Sequence, residues 1–202
     1  NATEAYLLDK TKGRVLRIFL TGQGYQLDTD FQCEPGPLGG LYISPLVDLV
    51  TLPPNNDFKA TIAALDNAGN VLYCGPGLTP TATTLTAPDN GWGQITRFTI
   101  DQGILYVLDA GNNAVWLYPG VNYRFSEAPR LFFDNEVPLL TDIADLAING
   151  EDLYLLHQDG KMTMCVFRAF SLGQTKCTDP APYGDARAGR ESEPITFSDA
   201  QF

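Results

Sequence analysis

Four charged residues recur at matching places in short apolar runs: Asp48 in LVDLV, Arg97 in ITRFT, Asp145 in IADLA and Asp199 in FSDAQ, separated by 49, 48 and 54 residues. Carboxylates brought to face one another can hold a cation, and an Asp beside an Arg can grip a polar ligand. The simpler use of the same charges is structural. Arg97 would then neutralise Asp48 and Asp145 as an ion pair between neighbouring elements, and this is the reading we expect.

The four cysteines are the next candidates. Cys165 and Cys177 each stand six residues from Ser171, on either side of an expected turn, so direct cross-strand opposition suits a disulfide. By elimination Cys33 would pair with Cys74, and four buried thiols are the alternative. Disulfides imply an oxidising compartment, so the expected location is extracytoplasmic or secreted, with any membrane anchor outside this segment. Zinc is disfavoured, because there is no C-x-x-C and the single histidine cannot complete a common ligand set.

That histidine, His157, falls in register with Asp9, Asp66 and Asp109, each at the end of one apolar run and the start of a turn. It could be a general base or a metal ligand, but a turn-capping side chain standing in for Asp explains it more simply. The three aspartates invite calcium, yet their loops lack the D-x-[DN]-x-[DN]-G order with a terminal Glu. No cofactor is expected, and a cation at the aligned carboxylates is the metal site left open. Trp92, Trp116, Tyr118, Tyr123 and Phe125 form an aromatic neighbourhood that could stack on a glycan or a protein, or fill space between sheets.

The elements that would position these residues are strands. The stretch 93–119, GQITRFTIDQGILYVLDAGNNAVWLYP, reads as three β-runs joined by Asp101-Gln102-Gly103 and by 109–113. Aromatic and β-branched residues fill the runs, while Gly, Asn and Asp fill the connections. The design repeats. Units fall at 4–33, lacking a first strand, at 46–88, 94–134 and 143–178, and a lone first strand closes the chain at 194–202. Residues 35–40 read as a turn-rich linker, and 77–88 as an outer edge strand whose prolines suit an edge. Helix has little support, except a turn near 141–146. Turns recurring about every 43 to 57 residues, with four strands per unit, predict an all-β chain built as a β-propeller. A β-sandwich would not repeat its core at one register.

The repeat cores, AYLLDKTKGRVLRI, AALDNAGNVLY, YVLDAGNNAVWLY and YLLHQDGKMTMCVF, resemble the NHL-type repeat and the wider group of six-bladed propellers that includes lactonases and streptogramin lyase. That resemblance covers most of the chain. It implies the fold and a section of a larger, six-bladed ring; the alternative is a four-bladed ring that 194–202 completes. The lyases and metal-dependent lactonases of that group use His or clustered carboxylates around the channel, and no matching His set can be placed here.

Composition narrows the partners. The chain has 202 residues, 44% of them hydrophobic, and a formal charge of −11. It can bury a substantial core, and its 13 basic residues among 24 acidic ones form no patch for phosphates, so nucleic acid is excluded. No run approaches the roughly 18 apolar residues of a membrane span. Residues 1–4 carry no signal-like start, so a processed chain or a piece of a longer protein is expected, flanked by further domains or blades. The function expected is a module of a larger protein that binds a protein or a small polar ligand. A propeller hydrolase or lyase with carboxylates at the channel mouth, and a structural spacer in a cell-surface protein, are the alternatives, with no catalytic residue assigned.

Overall fold

A computed structural model describes residues 3–133, 136–150, 152–166 and 175–182. The described residues are all-β, with no helix. Unit one is a sheet of β1 (Glu4–Asp9), β2 (Arg14–Thr21) and β3 (Gly24–Leu27). A hairpin of β4 (Gly36–Leu38) and β5 (Leu41–Ile43) leads into unit two, with β6 (Leu46–Thr51), β7 (Ile62–Asp66), β8 (Asn70–Cys74) and β9 (Thr81–Thr84). Unit three has β10 (Ile95–Asp101), β11 (Ile104–Asp109), β12 (Ala114–Pro119) and the short β13 (Arg130–Leu131). Unit four has β14 (Ile143–Asn149), β15 (Asp152–His157) and β16 (Lys161–Val166), whose outer edge is shared by β17 (Lys176–Cys177) and β18 (Ala181–Pro182). All pairings are antiparallel and follow chain order, apart from that shared edge.

Each sheet is apolar on both faces, and alternation along the strands divides its residues between two neighbours. In β7, Ile62 and Ala64 pack toward unit one, with Val15, Ile43 and Leu46, while Ala63 and Leu65 pack toward unit three, with Phe98, Leu105 and Val107. In β11, Tyr106 and Leu108 then turn toward unit four, with Leu146, Leu153 and Leu155. Three clusters therefore fill three successive inter-unit spaces. Trp92, Trp116, Tyr118, Tyr123 and Phe125 all belong to the space between units two and three. There the buried Tyr118 hydroxyl donates to the Thr86 carbonyl at 2.7 Å, which satisfies the polar tip of an otherwise apolar ring.

Both disulfides are present. Cys165 and Cys177 stand directly opposite on β16 and β17. Cys33–Cys74 crosses from the segment after β3 to the end of β8, inside the cluster that joins units one and two.

The turn carboxylates act as brackets. Asp66, fully buried, accepts the backbone N–H groups of Ser44, Ala68 and Asn70 at 2.7 to 2.9 Å. Asp109, also fully buried, accepts those of Gly93, Gln94 and Asn112. Each thus ties the β-turn after its own strand to the segment entering the first strand of the same unit. A third carboxylate, Asp9, takes the Lys12 N–H at 3.2 Å and the Arg14 side chain at 3.4 Å. Gly93 and Gly111 let the two backbones meet, since a Cβ on either would lie within 2.6 Å of the opposing chain.

Several details depart from expectation. The linker at 35–40 folds into the β4–β5 hairpin, because Gly39 and Gly40 both take positive φ (57° and 87°) and so allow the tight two-residue turn that matches strand twist. The third strand of unit one stops at Leu27, and the fourth strand of unit three is only two residues long. Residues 143–146, part of the expected turn of helix, are strand, since Ile143 and Leu146 alternate into the core between units three and four across a bulge. The expected first strand at 194–202 lies outside the described residues.

Two outcomes follow for stability. Loop closure entropy makes the disulfide with the longer loop worth more: separations of 41 and 12 residues correspond to about 4 and about 3 kcal/mol. Equilibrium urea denaturation should therefore rank Cys33→Ala/Cys74→Ala below Cys165→Ala/Cys177→Ala, and the reverse order would show that the staple between units is not limiting. In unit four the bracket is inverted, with His157 Nδ1 3.1 Å from Asp142 Oδ2. His157→Asp, although it restores the residue of the other units, should cost about 3 kcal/mol by placing two carboxylates together, and Asp142→Asn in the same chain should recover most of the loss.

Candidate functional site

The three aligned charges that the structure describes sit on consecutive first strands, and β10 lies against both β6 and β14. Each of these strands carries a bulge at the same place. The register with the second strand shifts between Leu46 and Asp48, between Ile95 and Arg97, and between Ile143 and Asp145. The extra residues are Val47, Thr96 and Ala144. A bulge re-aims the side chain beside it, so the recurrence puts Asp48, Arg97 and Asp145 at one level of the three strands, while Asp199 lies outside the described residues.

The contacts run from one unit to the next through main-chain groups. Asp48 Oδ2 accepts the N–H of Phe98 in unit three at 2.9 Å. Arg97 Nε donates to the carbonyl of Ala144 in unit four at 2.6 Å, and a terminal guanidinium nitrogen donates to Thr96 O at 2.7 Å. Asp145 Oδ1 accepts the N–H of Leu146 at 2.8 Å, and its side chain is exposed. The ion pair expected of Arg97 with Asp48 and Asp145 is not formed: among the described residues, no salt bridge joins them. The physical reason is that strand edges present unpaired N–H and C=O groups on which both signs of charge find partners.

Electrostatics still couples the three. Burial pushes the Asp48 carboxyl up to about 6, with the nearby Asp145 charge adding to the rise. The N–H groups of Phe98 and Leu49 and the positive charge of Arg97 act in the opposite sense. A carboxyl raised to about 6 is still mostly ionised at neutral pH, and the N–H groups of Phe98 and Leu49 are what stabilise that buried charge.

Neither turn aspartates nor the histidine form a reactive centre. Asp66 and Asp109 spend their oxygens on backbone N–H groups and on Asn70 and Asn112, which leaves no open coordination for calcium. His157 is buried between Asp142 and Thr163, its Nε2 2.9 Å from Thr163 Oγ1. An acid, an imidazole and a hydroxyl in line have the order of a nucleophilic relay. Thr163, however, is only 1% exposed, so no substrate reaches that hydroxyl, and the line holds the turn together. Among the described residues, no group of three or more His, Cys, Asp or Glu side chains is gathered to hold a metal ion.

Two cavities open elsewhere. One of about 680 Å³ is bounded by Asp142, His157, Asp159 and Lys161 on one side and by Thr175–Pro180 on the other. The second, of about 520 Å³, runs between β1 and β6, along Glu4, Ala5, Tyr6, Leu49 and Thr51. Neither is lined by the aligned charges. Sequence reasoning missed Asp142, Thr163 and the bulges. Asp142 carries a faint signal as the one acidic residue just ahead of the unit whose turn lacks Asp, but Val47, Thr96 and Ala144 share no chemistry that would mark a bulge.

No protein-family model matches the chain, and no curated protein matches it. Solved structures do. The chain superposes on a provisional 6-phosphogluconolactonase from Bacteroides uniformis with a TM-score of 0.59 and 15% identity, covering 91% of this chain and 56% of that one. It superposes on a protein from Lactobacillus plantarum with a TM-score of 0.56 and 12% identity, covering 88% and 54%. For the crystal structure of a nidogen/laminin complex the values are 0.50 and 17%, covering 82% of this chain and 56% of that one. The chain thus spans a little over half the length of each of these three. These likenesses fix the fold alone: consecutive four-stranded antiparallel sheets arranged as in a β-propeller, consistent with the propeller resemblance carried by the repeat cores.

Proposed function

We propose that this chain is an extracytoplasmic β-propeller that serves as a binding module of a larger protein, taking a protein or a small polar ligand where its first strands display Arg97 and Asp145. The observation that supports this reading most is the shared bulge. Three strands spend a ladder position in the same place to re-aim one polar side chain each. Of the three, Asp48 serves the frame and Asp145 is exposed. Beside it, the guanidinium of Arg97 is anchored through Nε to the residue preceding Asp145. An anchored cation next to an exposed carboxylate suits a zwitterionic or mixed-charge ligand. Two disulfides among the described residues support the oxidising compartment.

A structural spacer is the second reading, and a specific observation favours it. The hydrogen bonds of Asp48 and Arg97 run to main-chain groups, those of Arg97 through two of its nitrogens. The readings separate by calorimetry with zwitterionic dipeptides and with calcium as probes. Heat from a dipeptide that disappears in Asp145→Ala, with the melting temperature unchanged, is the expected result. A parent protein that gives no heat with any probe leaves the spacer.

The role of Asp48 gives a pH signature. Its folded carboxyl titrates near 6 against an ordinary 3.8, so between these values the folded chain holds a proton that the unfolded chain has released. Stability contributed by this group therefore falls as pH rises through that window, by up to about 3 kcal/mol. Asp48→Asn should flatten the pH dependence of stability between about 4 and 6 and raise the melting temperature at neutral pH. A variant melting lower at neutral pH would show that the charge itself is needed.

A further inference from the structure

The turn that joins β14 to β15 carries a pair of residues suited to a reaction of the chain with itself. Asn149 closes the strand and Gly150 follows it, and both are exposed. An asparagine side-chain amide can be attacked by the main-chain nitrogen of the next residue, and glycine obstructs this least because it has no Cβ. Gly150 stands at a φ of 66°, and a Cβ built on it would meet nothing within 4 Å, so the approach is open. The sequence holds one other Asn-Gly pair, Asn90-Gly91, with Asn90 exposed and Gly91 at a φ of 74°.

The two pairs differ in what holds the glycine nitrogen. Gly91 N–H is spent on the carbonyl of Pro88 at 2.7 Å, inside its own turn. Gly150 N–H donates instead to a carboxylate, Asp101 Oδ2 at 3.1 Å. Asp101 ends β10 of unit three, which lies against β14, so the contact spans two units. A carbonyl does not take up a proton at neutral pH, whereas a carboxylate within about 2.6 to 3.2 Å of an N–H is placed to act as a general base.

We propose that Asn149 is a self-modification site that deamidates through Gly150, with Asp101 of the neighbouring unit as the base. The Gly150 nitrogen attacks Cγ of Asn149 while its proton passes to Asp101 Oδ2. The Cγ–Nδ2 bond then breaks, and the amide nitrogen leaves as ammonia, taking that proton back from the carboxyl group. Water opens the resulting cyclic imide at either of its carbonyls, giving aspartate or isoaspartate, in which the main chain runs through the side-chain carbon. Water is consumed, ammonia is released, and Asp101 is regenerated.

The product changes the junction where it forms. Asn149 stands opposite Asp152 in the ladder, and conversion adds a carboxylate there, next to the glycine that Asp101 holds. Like charges placed opposite each other on a sheet are destabilising. Isoaspartate also lengthens the main chain by a carbon at the end of β14, so the turn cannot keep its register. The modification therefore loosens a point at which unit four is tied to unit three, with time and without an enzyme.

The test follows the full oxidised 202-residue chain through incubation at physiological pH and temperature. Samples are then reduced and digested with trypsin, which places Asn90 in residues 60–97 and Asn149 in residues 131–161. The gain in mass at each site, and labelling by an isoaspartate methyltransferase, should appear at Asn149 at least about 10-fold faster than at Asn90. Asp101→Asn keeps an acceptor oxygen for Gly150 but no base, and should slow Asn149 by at least about 10-fold while leaving Asn90 unchanged. Asp101→Ala should slow it as well; were Asp101 only a clamp on the turn, this variant would speed conversion. In urea, where the contact is lost, the excess of Asn149 over Asn90 should disappear, which checks the role of Asp101 without any variant. Equal rates in the folded parent, faster conversion in Asp101→Ala, or an excess as large in urea as in water would overturn the proposal. None of these outcomes depends on whether Arg97 and Asp145 bind a ligand.

Discussion

A four-stranded sheet that is apolar on both faces cannot be buried by its own chain segment alone, and this constraint organises the molecule. Every residue of β7 and β8 is buried, which one neighbour could not achieve. Neighbours on both sides are required, and alternation along each strand assigns successive residues to one or the other. The three core clusters are therefore shared property: none belongs to a single unit. Stability in such an array is a sum of unit terms and interface terms, so the polar devices are placed where they fix one unit against the next.

Those devices use charge sparingly. Asp66 and Asp109 are fully buried and hold backbone N–H groups from two segments at once. In unit four the same join is made with the polarity reversed: the imidazole comes from the turn and the carboxylate, Asp142, from the segment entering the first strand. The join is what is retained, and the residue that makes it is replaceable. This explains how the one histidine of the chain can be buried and hydrogen-bonded without any catalytic demand on it.

Much of this was legible in the sequence, and the parts that were not share a cause. Strand runs, the β11–β12 turn, the pairing of Cys165 with Cys177 and the register of Asp48, Arg97 and Asp145 follow from local signals: alternation, Gly and Asn at turns, and fixed spacing from a turn residue; Cys33 and Cys74 then pair by elimination. The β4–β5 hairpin was hidden because Gly and Pro at 35–40 signal a break in any fold, and only the positive φ of two adjacent glycines distinguishes a hairpin from a linker. The bulges were hidden because they depend on pairing between strands, which Val47, Thr96 and Ala144 do not announce. Arg97 misled for a similar reason. An Arg between two aligned Asp residues reads as an ion pair until the intervening carbonyl of Ala144 is seen to take it.

That last error bears on function. A first strand offers its neighbour both N–H and C=O groups, so a side chain aimed at it must be polar but is free in sign. Asp48 reaches an N–H of the next unit and Arg97 reaches a carbonyl of the one after it, two solutions of one geometric problem. Alternation of Asp and Arg along the row therefore needs no ligand to account for it. What the frame does not account for, among the described residues, is the polar residue on the first strand of unit four. Asp145 keeps the bulge and the register, bonds only its own neighbour Leu146 among the described residues, and remains exposed. The proposed binding role therefore rests on Asp145, the one of the three aligned side chains whose described hydrogen bond stays within its own unit.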